Sequence, residues 1–146
     1  MSNYSTGCAI LADRHLELAE GVRGLLEAVF STVYVVADIG SLLEGAERLS
    51  PALITLDIAL ASGNIALVVE QVRQAAPGCR LVILTVHDQQ SAPRLSLAAG
   101  ANGIVLKRTI GSDLLPAIEA VMAGKTYVSP GFDLPQGSAG NSQDTD

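Results

Sequence analysis

The sequence contains few aromatic residues and only two cysteines. Aromatic side chains make up 3% of the 146 residues and Trp is absent, so the hydrophobic 49% must build its core from Leu, Ile, Val and Ala. Cys8 and Cys79 lack the spacing of zinc ligands, which excludes a zinc-finger type of domain. We therefore expect both cysteines to be reduced, buried thiols of a cytoplasmic protein.

Membrane segments and clusters of basic residues are also missing. No apolar run is long enough to cross a bilayer, and the first residues lack the charged and apolar regions of a signal peptide. Lys and Arg number 9 against 15 Asp and Glu, for a net charge of −6. Because binding to a phosphate backbone relies on clustered Lys and Arg, we expect this chain to contact neither nucleic acid nor membrane.

Apolar strand-like runs alternate with helical periodicity five times. The runs predict strands at 7–12, 32–37, 52–57, 80–85 and 103–106, and their Val, Ile and Leu content is typical of strands buried on both faces. Strict alternation implies right-handed crossovers. The predicted fold class is therefore α/β, a doubly wound five-stranded parallel sheet with five helices.

Local signals place the ends of several elements. Ser41 and Glu44 form a capping-box pattern that predicts the start of the second helix, and Gly100 would close the fourth, near 91–99, in a left-handed cap. We predict one domain over residues 7–130. The remainder, 131–146, is rich in Gly, Ser, Gln, Asn and Asp and is predicted to be a disordered acidic tail.

Four polar residues stand where apolar strands end: Asp13, Asp57, Thr85 and Lys107. The carboxyl ends of parallel strands gather at one edge of the sheet, where ligands bind in such folds. Two carboxylates, a hydroxyl and an ammonium form a set suited to phosphoryl groups. Each also has an ordinary explanation: Asp13 as a helix N-cap, Asp57 as a loop cap, Thr85 as a strand residue and Lys107 as a solvated charge.

Several fragments occur in one order and at one spacing from about Cys8 to Pro130. They are Ile10-Leu-Ala-Asp13, Leu56-Asp57, Leu84-Thr-Val-His-Asp88, Ala98-Ala-Gly-Ala-Asn-Gly103, Leu106-Lys107 and Gly124-Lys-Thr-Tyr-Val-Ser-Pro130. Together they resemble the response regulator receiver (CheY-like) domain of NarL/FixJ (LuxR-type) regulators. The resemblance implies the strand order 2-1-3-4-5. It also implies a non-enzymatic signalling domain of a two-component phosphorelay.

The same resemblance assigns roles to individual residues. Asp57 would be the phosphoacceptor for a histidine kinase, and Lys107 and Thr85 would contact the phosphoryl oxygens. Asp13, Asp57 and the backbone carbonyl of Ala59 would hold Mg²⁺. His15 and His87 flank the same edge, and we interpret both as structural residues.

Two positions depart from the family pattern. Arg14 stands where the family has an acidic Mg²⁺ ligand. Ile104 stands where the family has an aromatic residue that rotates when the domain is phosphorylated. At ~4 Å and an effective dielectric near 20, one unit-charge interaction is worth about 4 kcal/mol, which equals the whole free energy of millimolar binding. We expect Mg²⁺ binding to be weak or absent, with Arg14 pointing to solvent or forming a salt bridge with Asp57 and Asp13.

The leading interpretation is a receiver domain with weakened Mg²⁺-dependent phosphorylation that acts through contacts with a histidine kinase or another signalling protein. We expect a homodimer, through the first and fifth helices or the face of helix 4, strand 5 and helix 5. One alternative is an ordinary phospho-accepting regulator, or the excised receiver of a DNA-binding one. Another is a small flavin- or nucleotide-binding enzyme of this topology. It is disfavoured because the loop after the first strand has no Gly-rich phosphate cradle.

Overall fold

Strand and helix alternate along the chain in the computed structural model, which describes residues 4–89 and 91–132. The strands are β1 (Tyr4–Ala12), β2 (Phe30–Val36), β3 (Leu53–Asp57), β4 (Arg80–Thr85), β5 (Gly103–Leu106) and β6 (Tyr127–Val128). The helices are α1 (Leu16–Glu27), α2 (Ile39–Leu49), α3 (Ile65–Ala75), α4 (Ser91–Ala99) and α5 (Ile110–Met122). Short 3-10 turns, Ile58–Ala61 and Lys107–Thr109, follow β3 and β5. None of the helices within the described ranges is both long and apolar enough to span a bilayer.

All strands are parallel, and their order is β2-β1-β3-β4-β5-β6. The doubly wound sheet and the order of its first five strands are confirmed, but the predicted number of five strands is one too few. β6 pairs with β5 through Gly103 and Tyr127, and a Cβ on Gly103 would lie 3.2 Å from the Tyr127 carbonyl oxygen. Glycine at that position therefore permits the close approach of the sixth strand.

Alternating side chains along each strand divide the core into two layers. Ile10 and Ile54 pack beneath α2, α3 and α4, whereas Leu11 and Leu53 pack beneath α1 and α5. Successive strand residues point to opposite faces, so Asp57 continues the face of Leu53. The strand pattern thus determines which side of the sheet edge each terminal polar residue approaches.

The start of α2 differs from the prediction. The helix begins at Ile39 with Asp38 as its N-cap, and the Asp38 carboxylate accepts the Ser41 N–H at 2.7 Å. The prediction that a capping box at Ser41 starts the helix is therefore wrong, because the carboxylate of Asp38, three residues upstream, already caps it. The left-handed cap at Gly100 is confirmed by its φ of +116°.

The chain after α5 lies along the outer edge of the sheet as a C-terminal strap, residues 127–132. Phe132 is 4% exposed and belongs to the core layer that contains Leu106, and the Cβ of any other residue at Gly131 would lie 2.9 Å from a Leu106 methyl carbon. Core packing thus continues to Phe132, and β1 begins at Tyr4 rather than at residue 7, while the domain bounds 7–130 stay a prediction. Residues 133–146 of the predicted acidic tail lie outside the described residues.

Candidate functional site

Three of the four strand-end residues meet at the carboxyl edge of the sheet. The Lys107 ammonium lies 2.7 Å from Asp13 Oδ2 and 3.3 Å from Asp57 Oδ2. Asp13 and Asp57 are 1% and 4% exposed, and the Lys107 side chain is 13% exposed. Two buried carboxylates thus share one ammonium, which leaves these three groups with one excess negative charge.

The second oxygen of each carboxylate is held by the local backbone. Asp57 Oδ1 accepts the N–H of Ala59 at 3.2 Å, at the start of the 3-10 turn, and Asp13 Oδ1 accepts the N–H of His15 at 2.9 Å. The N-cap of α1 is His15, so the interpretation of Asp13 as that N-cap is wrong. These backbone contacts hold both carboxylates in place, with Oδ2 of each directed at Lys107.

Ala59 lies in the exposed part of the 3-10 turn directly after Asp57. Its carbonyl oxygen, the expected third Mg²⁺ ligand, accepts the N–H of Ser62 at 3.3 Å. A carbonyl oxygen has two lone pairs, so one remains for a cation. The assignment of Ala59 to a metal site stays a prediction.

Thr85 ends β4, beside β3, where Asp57 pairs in register with Leu84. Its buried hydroxyl accepts the N–H of His87 at 3.1 Å and lines a separate cavity of about 220 Å³ together with Ala61. The proposed contact of Thr85 with a phosphoryl group remains a prediction from the resemblance.

Arg14 is exposed at the surface. Within the described residues, Lys107 is the Lys or Arg side chain that pairs with the two site carboxylates. The salt bridge that one interpretation assigned to Arg14 is therefore made by Lys107. Because solvent screens an exposed charge, the repulsion of a cation by Arg14 is weaker than the estimate above, and the lost acidic ligand is the larger effect.

His15 lies closer to the site than its interpretation as a structural residue predicted. Its Nδ1 lies 3.7 Å from Asp13 Oδ1, and one ligand atom each from Asp13, His15 and Asp57 lie within 4.8 Å of one another. The detectable signal was the spacing of Asp13 and His15 by two residues at a strand end. Together these residues could hold a divalent cation.

Ile104, at the family's switch position, is fully buried in β5 and pairs in register with Val128. It lies in the same core layer as Phe132 of the C-terminal strap. The aromatic residue of this core layer is therefore supplied by the strap rather than by β5.

A second cavity opens beside the ion pair. It measures about 340 Å³ and is lined by Asp13, Val22, Val86, Lys107, Arg108 and Ile110. Its largely apolar wall carries two cationic side chains, so a small anion or phosphoryl donor can approach Lys107 from this side.

The sequence profile of the family described as "Response regulator receiver domain" matches residues 9–119. The transcriptional regulatory protein MctR of Rhizobium johnstonii is 30% identical over 132 residues, which cover 88% of this chain and 61% of that protein. The nitrate/nitrite response regulator protein NarL of Escherichia coli K12 gives the same identity and shares. The chain thus spans less than two thirds of the length of these relatives.

Solved structures show the same fold. A two-component response regulator of the LuxR family from Aurantimonas sp. SI85-9A1 superposes with a TM-score of 0.77 at 28% identity, covering 85% of this chain and 90% of that one. The profile match covers well over half of the sequence, and the buried Asp13–Lys107–Asp57 group lies at the sheet edge where the resemblance places the site. The chain therefore belongs to the response regulator receiver domain family, of the NarL/LuxR type, and is a receiver domain of two-component signalling.

Proposed function

We propose that Asp57 is the phosphoacceptor of this receiver and that its Mg²⁺-dependent phosphorylation is weakened. The observation that supports the role of Asp57 is its contact with Lys107, which also joins Asp13. The Asp57 carboxylate is fixed by a backbone N–H and faces the Lys107 ammonium, which itself lines an open cavity, and this arrangement is suited to nucleophilic attack on phosphorus.

The proposed reaction transfers a phosphoryl group from a histidine kinase. A carboxylate oxygen of Asp57 forms the new O–P bond while the P–N bond of the phosphohistidine breaks and its electron pair returns to the imidazole. Lys107 then pairs with the phosphoryl oxygens, with which a charged donor makes stronger hydrogen bonds than a neutral one. A divalent cation bound by Asp13 and Asp57 would neutralise charge between the carboxylate and the phosphoryl group.

The weakening of Mg²⁺ dependence is proposed from the donor set. Mg²⁺ prefers oxygen ligands in octahedral geometry, and the resemblance places a further acidic ligand where this chain has Arg14. The carboxylates left for the ion are Asp13 and Asp57, both already paired with Lys107. A cation must therefore compete with an internal ammonium while having one ligand fewer.

We further propose that the domain acts through protein contacts, with a histidine kinase and with a second copy of itself. Leu95 on α4 and Val128 on β6 are exposed apolar side chains that such a contact would cover. MctR is named a transcriptional regulatory protein. We propose that this chain receives the signal in a comparable cytoplasmic pathway. We also propose that it does not contact nucleic acid itself. Because the chain belongs to the receiver domain family, no observation favours the alternative of a flavin- or nucleotide-binding enzyme.

Incubation with acetyl phosphate, followed by intact-mass spectrometry, tests the proposal. We expect a substoichiometric gain of one phosphate in the wild-type chain at millimolar Mg²⁺, and no gain in Asp57→Asn, which removes the nucleophilic oxygen but keeps the shape. An equal gain in Asp57→Asn would contradict the assignment of Asp57. A full stoichiometric gain at low Mg²⁺ would contradict the weakening and favour an ordinary phospho-accepting regulator.

A further inference from the structure

We propose that Asp13, His15 and Asp57 form a site for a borderline first-row divalent cation such as Zn²⁺ or Ni²⁺, in preference to Mg²⁺. The site shares two carboxylates with the proposed function, but binding of the ion does not depend on phosphorylation of Asp57.

The geometry brings three suitable ligand atoms together. One atom from each of these residues lies within 4.8 Å of the other two. Ligand atoms at about 2.0–2.2 Å from a shared ion are roughly 3–4 Å from one another. The three ligand atoms therefore need to move only about 1 Å closer together to bind one ion. The His15 side chain is 56% exposed and can rotate towards the two buried carboxylates, which the backbone holds in place.

The charge of the buried groups points independently to a cation. Asp13 and Asp57 carry two negative charges, and Lys107 supplies one positive charge at 2.7 and 3.3 Å. Within the described residues, neither of the other nearby cations forms an ion pair with these carboxylates: Arg14 is exposed, and Arg108 pairs with Asp88 at 3.2 Å. An uncompensated charge away from water is costly, and a bound cation would offset it.

The donor types select the class of metal. Mg²⁺ takes oxygen ligands and keeps several waters, whereas imidazole nitrogen suits Zn²⁺, Ni²⁺ and Cu²⁺. Two carboxylates with one imidazole form a mixed nitrogen–oxygen set that leaves coordination positions open. His15 therefore determines the preference, and an Mg²⁺ ion would use only the two carboxylates of this trio.

The chain contains two histidines, and both follow strands at the same edge of the sheet, so His87 offers a matched control. Zn²⁺ alone, Ni²⁺ alone and Mg²⁺ alone are titrated by calorimetry into the tag-free chain in a Cys8→Ser background, which removes the partly exposed thiol as a competing ligand. We expect one ion per chain, with Zn²⁺ at least tenfold tighter than Mg²⁺. His15→Ala should weaken Zn²⁺ tenfold or more and leave Mg²⁺ unchanged, whereas His87→Ala should change neither.

Two results would overturn the proposal: equal Zn²⁺ affinity in His15→Ala and the parent chain, or Zn²⁺ binding no tighter than Mg²⁺. Circular dichroism of each variant checks that the fold is retained. Because His15 is exposed, its substitution should leave the fold intact. Asp57→Asn should weaken Zn²⁺ as well, because it replaces a charged ligand with a neutral one. A failure of phosphorylation with Zn²⁺ binding intact would contradict only the proposed function.

Discussion

Lys107 holds two carboxylates together that would otherwise repel each other. Its ammonium contacts Asp13 at 2.7 Å and Asp57 at 3.3 Å, although Asp13 lies 94 residues away in the chain. Removing one partner of a buried ion pair leaves an uncompensated charge, which is more costly than the pair is favourable. The same ammonium is the internal competitor of any cation at this site.

Two substitutions of Arg14 separate the effects of a missing carboxylate ligand and of an added positive charge on Mg²⁺ affinity. We expect Arg14→Asp to tighten Mg²⁺ binding about tenfold or more, because it supplies a further carboxylate beside Asp13. Arg14→Gln removes the charge without adding a ligand and should change the affinity by about threefold or less, because an exposed charge is worth about 0–1 kcal/mol. Calorimetric titration with Mg²⁺ measures both. Equal tightening in the two variants would show that charge, not ligation, sets the affinity.

At the scale of elements, the C-terminal strap is joined to β5 and α5 by buried polar contacts. The Ser129 hydroxyl accepts the N–H of Leu106 at 3.0 Å and donates to the Asp113 carboxylate at 2.8 Å. Arg108, directly after Lys107, contacts the carbonyl oxygen of Gly131 at 3.2 Å. These contacts couple the strap to the strand end that carries the site.

Phe132 provides a test of how firmly the strap is docked. We expect Phe132→Ala to lower the free energy of unfolding by about 3 kcal/mol, because it leaves a cavity in the core layer that contains Ile104 and Leu106. Val128→Ala, at a side chain that is 39% exposed on the same segment, should cost about 1 kcal/mol or less. Urea unfolding followed by circular dichroism gives both values. A similar small loss in both variants would mean that the strap adds little to stability.

For the molecule as a whole, two ionisable groups, one buried and one partly buried, predict how stability depends on pH. Burial raises the pKa of the Cys79 thiol above its ordinary value of 9.0, partly opposed by the guanidinium of Arg73. Burial also raises the pKa of Tyr127 above 10.0, with a further contribution from Asp113. Both groups therefore hold their protons more tightly in the folded chain than in the unfolded chain.

The expected result is a loss of stability in alkali. The contribution of Cys79 is fully present below its ordinary value of 9.0 and is lost as the pH rises towards the higher folded pKa. Urea unfolding at several pH values between about 8 and 10 should show the free energy of unfolding falling with pH. Cys79→Ala should reduce that slope relative to the parent chain. An unchanged slope in this variant would show that Cys79 does not contribute.

Much of this architecture was predictable because its signals are local. Apolar runs alternating with helical periodicity predicted the parallel sheet, and polar residues at strand ends predicted that Asp13, Asp57 and Lys107 would meet at one edge. That inference needs only the direction of parallel strands, since all carboxyl ends lie on one side. Alternation within a strand even predicts the face on which Asp57 lies.

Tertiary packing decided the features that no local pattern contains. β6 is two residues long and too short for a periodic signal, and Phe132 becomes a core residue only because the strap returns to β5. The outward direction of Arg14 and the proximity of His15 to Asp57 depend on how the loop after β1 meets the ion pair across the sheet. The sequence therefore determined which groups reach the edge. Packing determined which of them touch, because contact depends on side-chain direction and on loops closed over long stretches of chain.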